Sequence, residues 1–280
     1  MRNTVVKNKG LSISNIAWNS DENDAVLGIL KKHSIGAIEV APAKVVSNVQ
    51  NFSDDEVLLY KEKMNDAGIV ISSMQALLFG GPSGNIFGNQ IESNAIQNHL
   101  SKIIHMAGLL GAEKLVFGSP KNRLRNDISF ANAIEIAAKF FQPLAIKAKD
   151  VGTMICIEPN PEYYGCDFIT DSKEAVELAC AIDHPGFGVH LDLAGLRLSK
   201  EDVYNRIAIL NEKIAHFHIS EKDLAPIGLD IEAHNLACKG LEHIAYHGWL
   251  SIEMKRSEMP LVDIDASISL VKEIYGPILC

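Results

Sequence analysis

The chain has 280 residues, of which 47% are hydrophobic, so it can bury one large core or two ordinary ones and is neither disordered nor fibrous. Its 26 basic and 35 acidic residues give a net charge of −9 without a long basic run, which disfavours a nucleic-acid partner because such binding depends on neutralising phosphates. No apolar run approaches the roughly 20 residues that span a bilayer, so we expect no membrane partner.

The N-terminal segment MRNTVVKNKGLSIS lacks the apolar core and the small-residue cleavage site of a signal peptide. The five cysteines are an odd number and include no CxxC pair, which disfavours both a disulfide framework and a zinc knuckle. We therefore expect a reducing, cytoplasmic location.

Short apolar segments rich in branched residues alternate along the chain with longer segments that begin at capping residues. The predicted strands are 11–18, 37–40, 69–74, 114–118 and 153–158, followed by segments that end at Asp192, His218 and Glu253. The predicted helices run from the capping residues 19–21 to 32 and over about 53–67, 92–110, 128–150, 172–181, 201–211, 232–246 and 263–275.

Strict alternation of eight strands with eight helices implies parallel strands joined by right-handed crossovers. Eight such units in about 250 residues are typical of a (β/α)₈ barrel, and no linker divides the chain, so we predict a single barrel domain over residues 1–280. The alternative is a doubly wound open sheet, but the first turn has no GxGxxG motif. The glycine-rich connection 79–90 is a candidate lid.

Four consecutive predicted strands, the fifth to the eighth, end at ionisable residues: Glu158, Asp192, His218 and Glu253. In a parallel barrel all strand C-termini open on one face, so these side chains should converge at the mouth. A single carboxylate at a strand end is usually a helix cap or a salt-bridge partner, but clustered carboxylates repel unless a cation or a proton lies between them. Three carboxylates and one imidazole suit one divalent cation, Mn²⁺, Co²⁺, Mg²⁺ or Zn²⁺, with a coordination position left for substrate oxygens.

Several histidines compete for the role of ligand. His216 and His218 share one face of a strand at different depths, and His218, nearer the strand end, is the predicted ligand. His216 and His190 are predicted to pack inside the barrel. The remaining candidates, His105, His184, His234, His243 and His247, are predicted to lie on helix faces or in loops.

At these residues the chain resembles the sugar phosphate isomerase/epimerase group of xylose-isomerase-like barrels, which includes ketose 3-epimerases, hydroxypyruvate isomerase and inosose dehydratase. The matching segments are AGLLGAEKLVFGSPKNR, IEPNP, HLD, HFHISEKD and GWLSIEMK. The resemblance implies that Glu158, Asp192, His218 and Glu253 bind the metal. It also implies that Glu158 and Glu253 form an acid/base pair on opposite sides of a sugar, whose enediolate the metal stabilises.

The chain departs from ketose 3-epimerases at three positions. Those enzymes have a substrate-contacting histidine three residues after the aspartate ligand, an arginine six residues after the histidine ligand and a glutamate six residues after the first glutamate ligand. Here these positions are Gly195, Leu224 and Tyr164. The departures disfavour a free-ketohexose 3-epimerase and leave the metal set intact.

Residues just past the ligands are candidates for substrate binding. Lys222 and Lys255 could hold a carboxylate or a phosphate, although lysines at such positions are usually solvated. The predicted lining of the pocket is Asn160, Glu162, Gln75 and Trp18.

The sequence therefore predicts a metal-dependent isomerase or epimerase acting on a sugar, a sugar acid or a sugar phosphate. It is also compatible with assembly into a homo-oligomer. One alternative is an inosose-type dehydratase that uses the same cation and bases to eliminate water. Another is an endonuclease with several zinc ions, but the strand ends at Val40, Met74 and Gly118 supply no convincing further ligand, and Glu39 alone would not suffice. The last is a non-catalytic sugar-binding barrel.

Overall fold

The computed structural model describes residues 9–279. Residues 1–8, which begin the segment considered as a signal peptide, and Cys280 lie outside the described residues. The four cysteines within the described range are free thiols. Between residues 9 and 279, no helix is both long enough and apolar enough to cross a membrane.

Eight parallel strands close into a barrel in chain order, each paired with the next and the last with the first. Ile13 of the first strand pairs with Ile38 of the second and with Ile252 of the eighth, which completes the ring. This closed barrel confirms the predicted (β/α)₈ fold. The strands are β1 (Gly10–Ser14), β2 (Ala37–Val40), β3 (Val70–Met74), β4 (Lys114–Phe117), β5 (Met154–Ile157), β6 (Phe187–Asp192), β7 (Ile214–Ser220) and β8 (Trp249–Glu253).

Helices follow every strand, and several begin and end at the residues expected from capping chemistry. Ser53 forms a capping box with Glu56, Asp171 accepts two backbone N–H groups, and Gly111 ends a helix with a left-handed φ of 81°. The helices are α1 (Asn23–Lys32), α2 (Asp54–Asp66), α3 (Gln90–Leu110), α4 (Phe130–Asp150), α5 (Ser172–Ile182), α6 (Leu193–Leu198), α7 (Val203–Leu210), α8 (Ile231–His243) and α9 (Pro260–Tyr275).

The structure differs from the prediction after β6, where a short additional helix, α6, precedes the predicted helix, which is α7. Asp192 ends β6 and also caps α6, because its Oδ1 accepts the backbone N–H of Gly195 at 2.6 Å. The chain then turns through Lys200, whose φ is 57°, before Asp202 caps α7. A strand-end aspartate can therefore begin a helix without any intervening loop.

The candidate lid packs against the connection between β4 and α4. The backbone N–H of Ile86 donates to the Asn122 carbonyl at 2.8 Å, and the Asn122 amide donates to the Gly84 carbonyl at 2.8 Å. The Asn85 side chain adds a third hydrogen bond, to the Leu124 carbonyl at 2.8 Å. These bonds join the two loops, so any movement of the first would have to break them.

Candidate active site

The C-terminal ends of β5 to β8 bring the predicted site residues together. Glu158 directly follows β5, Asp192 and Glu253 are the last residues of β6 and β8, and His218 lies in β7. Asp192 is in register with His218, and Glu253 is in register with Ser220, two residues further along β7. The parallel barrel therefore places residues from distant parts of the sequence at one mouth.

The side chain of Glu158 can take its position because residue 118 is a glycine. A Cβ atom built on Gly118, the residue after β4, would lie only 2.3 Å from Glu158 Oε2. The fully buried Arg123 donates from Nη2 to the backbone carbonyl of Glu158 at 2.6 Å. Burial and the charges of Glu253 and Asp192 raise the pKa of Glu158 to about 8. A carboxyl group with this pKa can accept or donate a proton near neutral pH.

Asp192 is held by two hydrogen-bond donors. Its Oδ1 accepts the backbone N–H of Gly195, and its Oδ2 accepts the hydroxyl of Ser220. Burial and the charge of Glu253 nevertheless raise the pKa of Asp192 to about 6. Asp192 and Glu158 are thus placed where negative charge is unfavourable unless a cation compensates for it.

His218 is fully buried between two glutamates. Its Nδ1 lies 3.2 Å from Glu253 Oε2, and its Nε2 lies 2.9 Å from Glu39 Oε1. Burial lowers the pKa of His218, but the charges of Glu39 and Glu253 outweigh burial and hold the pKa well above its ordinary value. The sequence had suggested Glu39 only as an insufficient extra metal ligand. An acidic residue inside the short, fully buried strand AIEV was the signal that it needed a partner.

His216 and His190 are fully buried inside the barrel. The ring of His190 lies 4.1 Å from that of His218, and neither of its nitrogens has a hydrogen-bond partner of ordinary geometry. Burial lowers the pKa of His190 well below its ordinary value, so the ring is neutral at pH 7. Potential ligand atoms of Glu158, His190, Asp192 and His218 all lie within 4.8 Å of one another. His190 therefore lies together with three of the four predicted ligands. The fourth, Glu253, is not part of this group, and its Oε2 lies 3.2 Å from His218 Nδ1.

A cavity of about 440 Å³ opens at this mouth. Its polar lining includes Glu158, Asp192, Glu253 and two predicted pocket residues, Asn160 and Gln75. The three positions at which the chain departs from ketose 3-epimerases also line it: Gly195, Leu224 and Tyr164. The departures therefore change the wall of the cavity itself.

Four other predicted residues do not line this cavity: Glu162, Lys222, Lys255 and Trp18. Lys222 is exposed and its ammonium lies 4.5 Å from the centre of the Tyr163 ring. Trp18 is buried and donates from Nε1 to Asn23 Oδ1 at 2.7 Å. In the conformation described, these side chains would have to move to reach a substrate in the cavity.

The donor set suits a divalent cation. Oxygen and imidazole donors are the ligands that Mn²⁺, Co²⁺ and Zn²⁺ accept, and three carboxylates leave the site negatively charged. The pKa values of Glu158 and Asp192 are raised because negative charges are buried close to one another. A bound cation would compensate for these charges.

The parallel eight-stranded barrel, with acidic and imidazole groups at its C-terminal mouth, places this chain in a class of (β/α)₈ barrel proteins. The sequence matches one family of that class. Residues 27–274 match the model of the xylose isomerase-like TIM barrel family, and the chain belongs to this family. The resemblance inferred from the sequence is confirmed at this level.

Individual relatives are more distant. The chain is 26% identical over 149 residues to a "Probable ketose 3-epimerase" of Synechocystis sp., an alignment that covers 53% of this chain and 47% of that protein. The chain thus spans about half the length of this curated relative. A crystal structure of D-psicose 3-epimerase in the presence of D-fructose is 16% identical, with a TM-score of 0.79 over 95% of this chain and 99% of the other. The IolI protein with a bound zinc atom is 17% identical, with a TM-score of 0.71 over 96% and 98%. At these identities, the two structures establish the fold.

Proposed function

We propose that this protein is a divalent-metal-dependent epimerase or isomerase of a sugar, a sugar acid or a sugar phosphate. The observation that carries the proposal is the meeting of Glu158, Asp192, His218 and Glu253 at the mouth of one barrel, beside a cavity of about 440 Å³. The printed names of the relatives, ketose 3-epimerase and D-psicose 3-epimerase, support sugar chemistry at such a mouth.

Glu158 and Glu253 are the proposed acid/base pair. Both carboxylates line the cavity, and the charge of Glu253 is one cause of the raised pKa of Glu158. One glutamate removes the proton next to the substrate carbonyl. If the other returns a proton from the opposite face, the carbon is inverted, and if the first delivers it to the adjacent carbon, the sugar is isomerised.

Glu158, Asp192, His218 and Glu253 are the proposed metal ligands. A divalent cation bound by them would supply positive charge to stabilise the enediolate that forms when the α-proton leaves. The bound zinc of the IolI structure supports a metal in a barrel of this shape. Reloading chelated protein separately with Mn²⁺, Co²⁺, Mg²⁺ and Zn²⁺ shows which cation supports activity.

The proposed substrate is a small polar molecule that is not a free ketohexose in the binding mode of ketose 3-epimerases. Gly195 and Leu224 offer the cavity no side-chain hydrogen-bond donor, so sugar hydroxyls would have to bind elsewhere, and Asn160 and Gln75 are the proposed contacts. Lys222, Lys255 and Glu162 are proposed to contact an acidic or polar substituent that extends out of the cavity.

The test uses chelated protein that is reloaded with each metal and mixed with a panel of ketoses, sugar acids and sugar phosphates in deuterated water. Exchange of the α-proton with inversion or isomerisation, seen by proton NMR, is the expected result. Loss of water from an inosose would instead assign the dehydratase reaction. No exchange with any candidate would contradict the proposal and favour a binding protein.

Two variants assign the roles. Glu158→Gln and Glu253→Gln should each reduce the exchange rate by at least about 10²-fold, in line with the usual contribution of a general acid or base. Glu135→Gln is the matched control, since Glu135 is an exposed glutamate on α4 that does not line the cavity. Equal exchange rates in all three variants would show that this pair does not carry out the proton transfers.

A further inference from the structure

Glu39 lies at the centre of a buried polar cluster beneath the mouth. The residue belongs to β2 and is completely inaccessible to solvent. Its Oε2 accepts the hydroxyl of Ser73 at 2.6 Å and lies 2.9 Å from His216 Nε2. Its Oε1 lies 2.9 Å from His218 Nε2. The two oxygens therefore have different partners, and only Oε1 faces the predicted metal ligand.

The chemistry of a carboxylate determines where the histidine protons should be. An ionised carboxylate only accepts hydrogen bonds, so a ring nitrogen that faces it is favoured in its N–H form. For His218 this rule favours a proton on both nitrogens, because Nε2 lies 2.9 Å from Glu39 Oε1 and Nδ1 lies 3.2 Å from Glu253 Oε2. A cation shared by Glu253 and His218 would take the place of the Nδ1 proton, and Nε2 would keep its N–H toward Glu39.

We propose that Glu39 is a positioning residue that fixes the orientation and tautomer of His218, so that Nδ1 is presented to the cation. This inference rests on the proposed metal-dependent function. A histidine that ligates a metal with one nitrogen commonly donates its other N–H to a carboxylate, which also makes it a stronger ligand. Glu39 does not line the cavity, so it acts through His218 and not on the substrate.

The cost of burying Glu39 supports this role. A carboxylate without access to water is tolerated only when donors surround it, and here three side chains from β3 and β7 converge on it. An apolar residue at position 39 would fill the interior without that cost. It would, however, leave the Nε2 atoms of both histidines without the acceptor that now faces them.

The first test needs no variant at the site. Protein labelled with ¹⁵N-histidine and loaded with Zn²⁺ is studied by long-range ¹H–¹⁵N correlation, which shows for each ring which nitrogen carries hydrogen and which binds metal. The His218 signal is assigned by its loss in His218→Gln. The expected pattern is metal on Nδ1 and hydrogen on Nε2. Metal on Nε2 would overturn the inference, since Nε2 could then not donate to Glu39.

The second test separates positioning from general packing. Glu39→Gln keeps the shape but loses the charge, and it should weaken Zn²⁺ and Co²⁺ affinity by about 10- to 100-fold. Ser73→Ala is the matched control, because it removes a buried hydrogen bond to the same carboxylate at the oxygen that does not face His218. We expect it to change the affinity less than about threefold.

The outcomes distinguish two failures. If the wild type binds either metal and Glu39→Gln binds it equally well, or if Ser73→Ala weakens binding as much as Glu39→Gln, the positioning role is wrong while the proposed function stands. If the wild type binds neither Zn²⁺ nor Co²⁺ at millimolar concentration, the metal-dependent function fails, and the inference fails with it.

Discussion

Gly118 offers a direct test of whether the position of Glu158 matters. A methyl group at residue 118 would lie 2.3 Å from Glu158 Oε2, whereas ordinary van der Waals contact begins at 3.4 Å. In Gly118→Ala the carboxylate must therefore move by about 1 Å. The atom that gives way is the end of a flexible side chain, so the protein should keep its stability to within about 1 kcal/mol.

A displacement of about 1 Å can cost about 10²-fold in rate, which is about 2.7 kcal/mol of activation free energy. We expect Gly118→Ala to lose about this factor in proton exchange and to bind Mn²⁺ more weakly in a calorimetric titration. Gly28→Ala is the control, since a Cβ there meets nothing within 4 Å. Wild-type affinity and exchange in Gly118→Ala, with an unchanged melting temperature, would refute the assignment of Glu158 as a ligand and base.

Two further predictions concern charge. Because burial and neighbouring carboxylates raise the pKa of Glu158 from 4.5 to about 8, its folded form holds a proton that the unfolded chain has lost over this range. The metal-free wild type should therefore lose up to about 5 kcal/mol of stability relative to Glu158→Gln as pH rises from about 4.5 to 8. Urea titrations in which the stability difference between the two proteins stays constant over this range would contradict this. Glu221 is buried, which would raise its pKa, but His234 and three backbone N–H groups of the loop after β7 lower the pKa to about 2. Glu221→Gln should lower the free energy of unfolding by about 1–3 kcal/mol at pH 7. This difference from the wild type should vanish as pH falls from about 4.5 to 2. Equal stability of the two proteins at pH 7 would count against a stabilising role of this carboxylate.

The architecture could be predicted from local patterns. Apolar segments of strand length, capping residues such as Ser53 and Asp171, and the C-cap Gly111 specify the eight units, and eight parallel repeats of this length are typical of a closed barrel. The alternation of side chains along a strand also predicted that His216 and His218 share one face of β7, with His216 two residues deeper. The short helix α6 was not predicted, because Asp192 ends a strand and caps a helix at the same time.

The parts of the site that the sequence did not predict are contacts between distant strands. Glu39 and His216 are 177 residues apart, and nothing around the segment AIEV indicates which strand its carboxylate will face. The buried Arg123 and the close approach of Gly118 to Glu158 likewise depend on how the ends of β4 and β5 pack. Their local sequence looks like an ordinary loop.

Local sequence patterns specify the eight alternating units and the ionisable residues near the ends of four strands, because hydrophobic periodicity and capping act over only a few residues. The folded barrel sets the other relations: Glu39 lies against His218, His190 joins the group of possible ligands, and Lys222, Lys255 and Glu162 lie outside the cavity lining. The physical reason is that these relations depend on barrel closure and on the stagger between strands, which bring together groups that no local pattern connects.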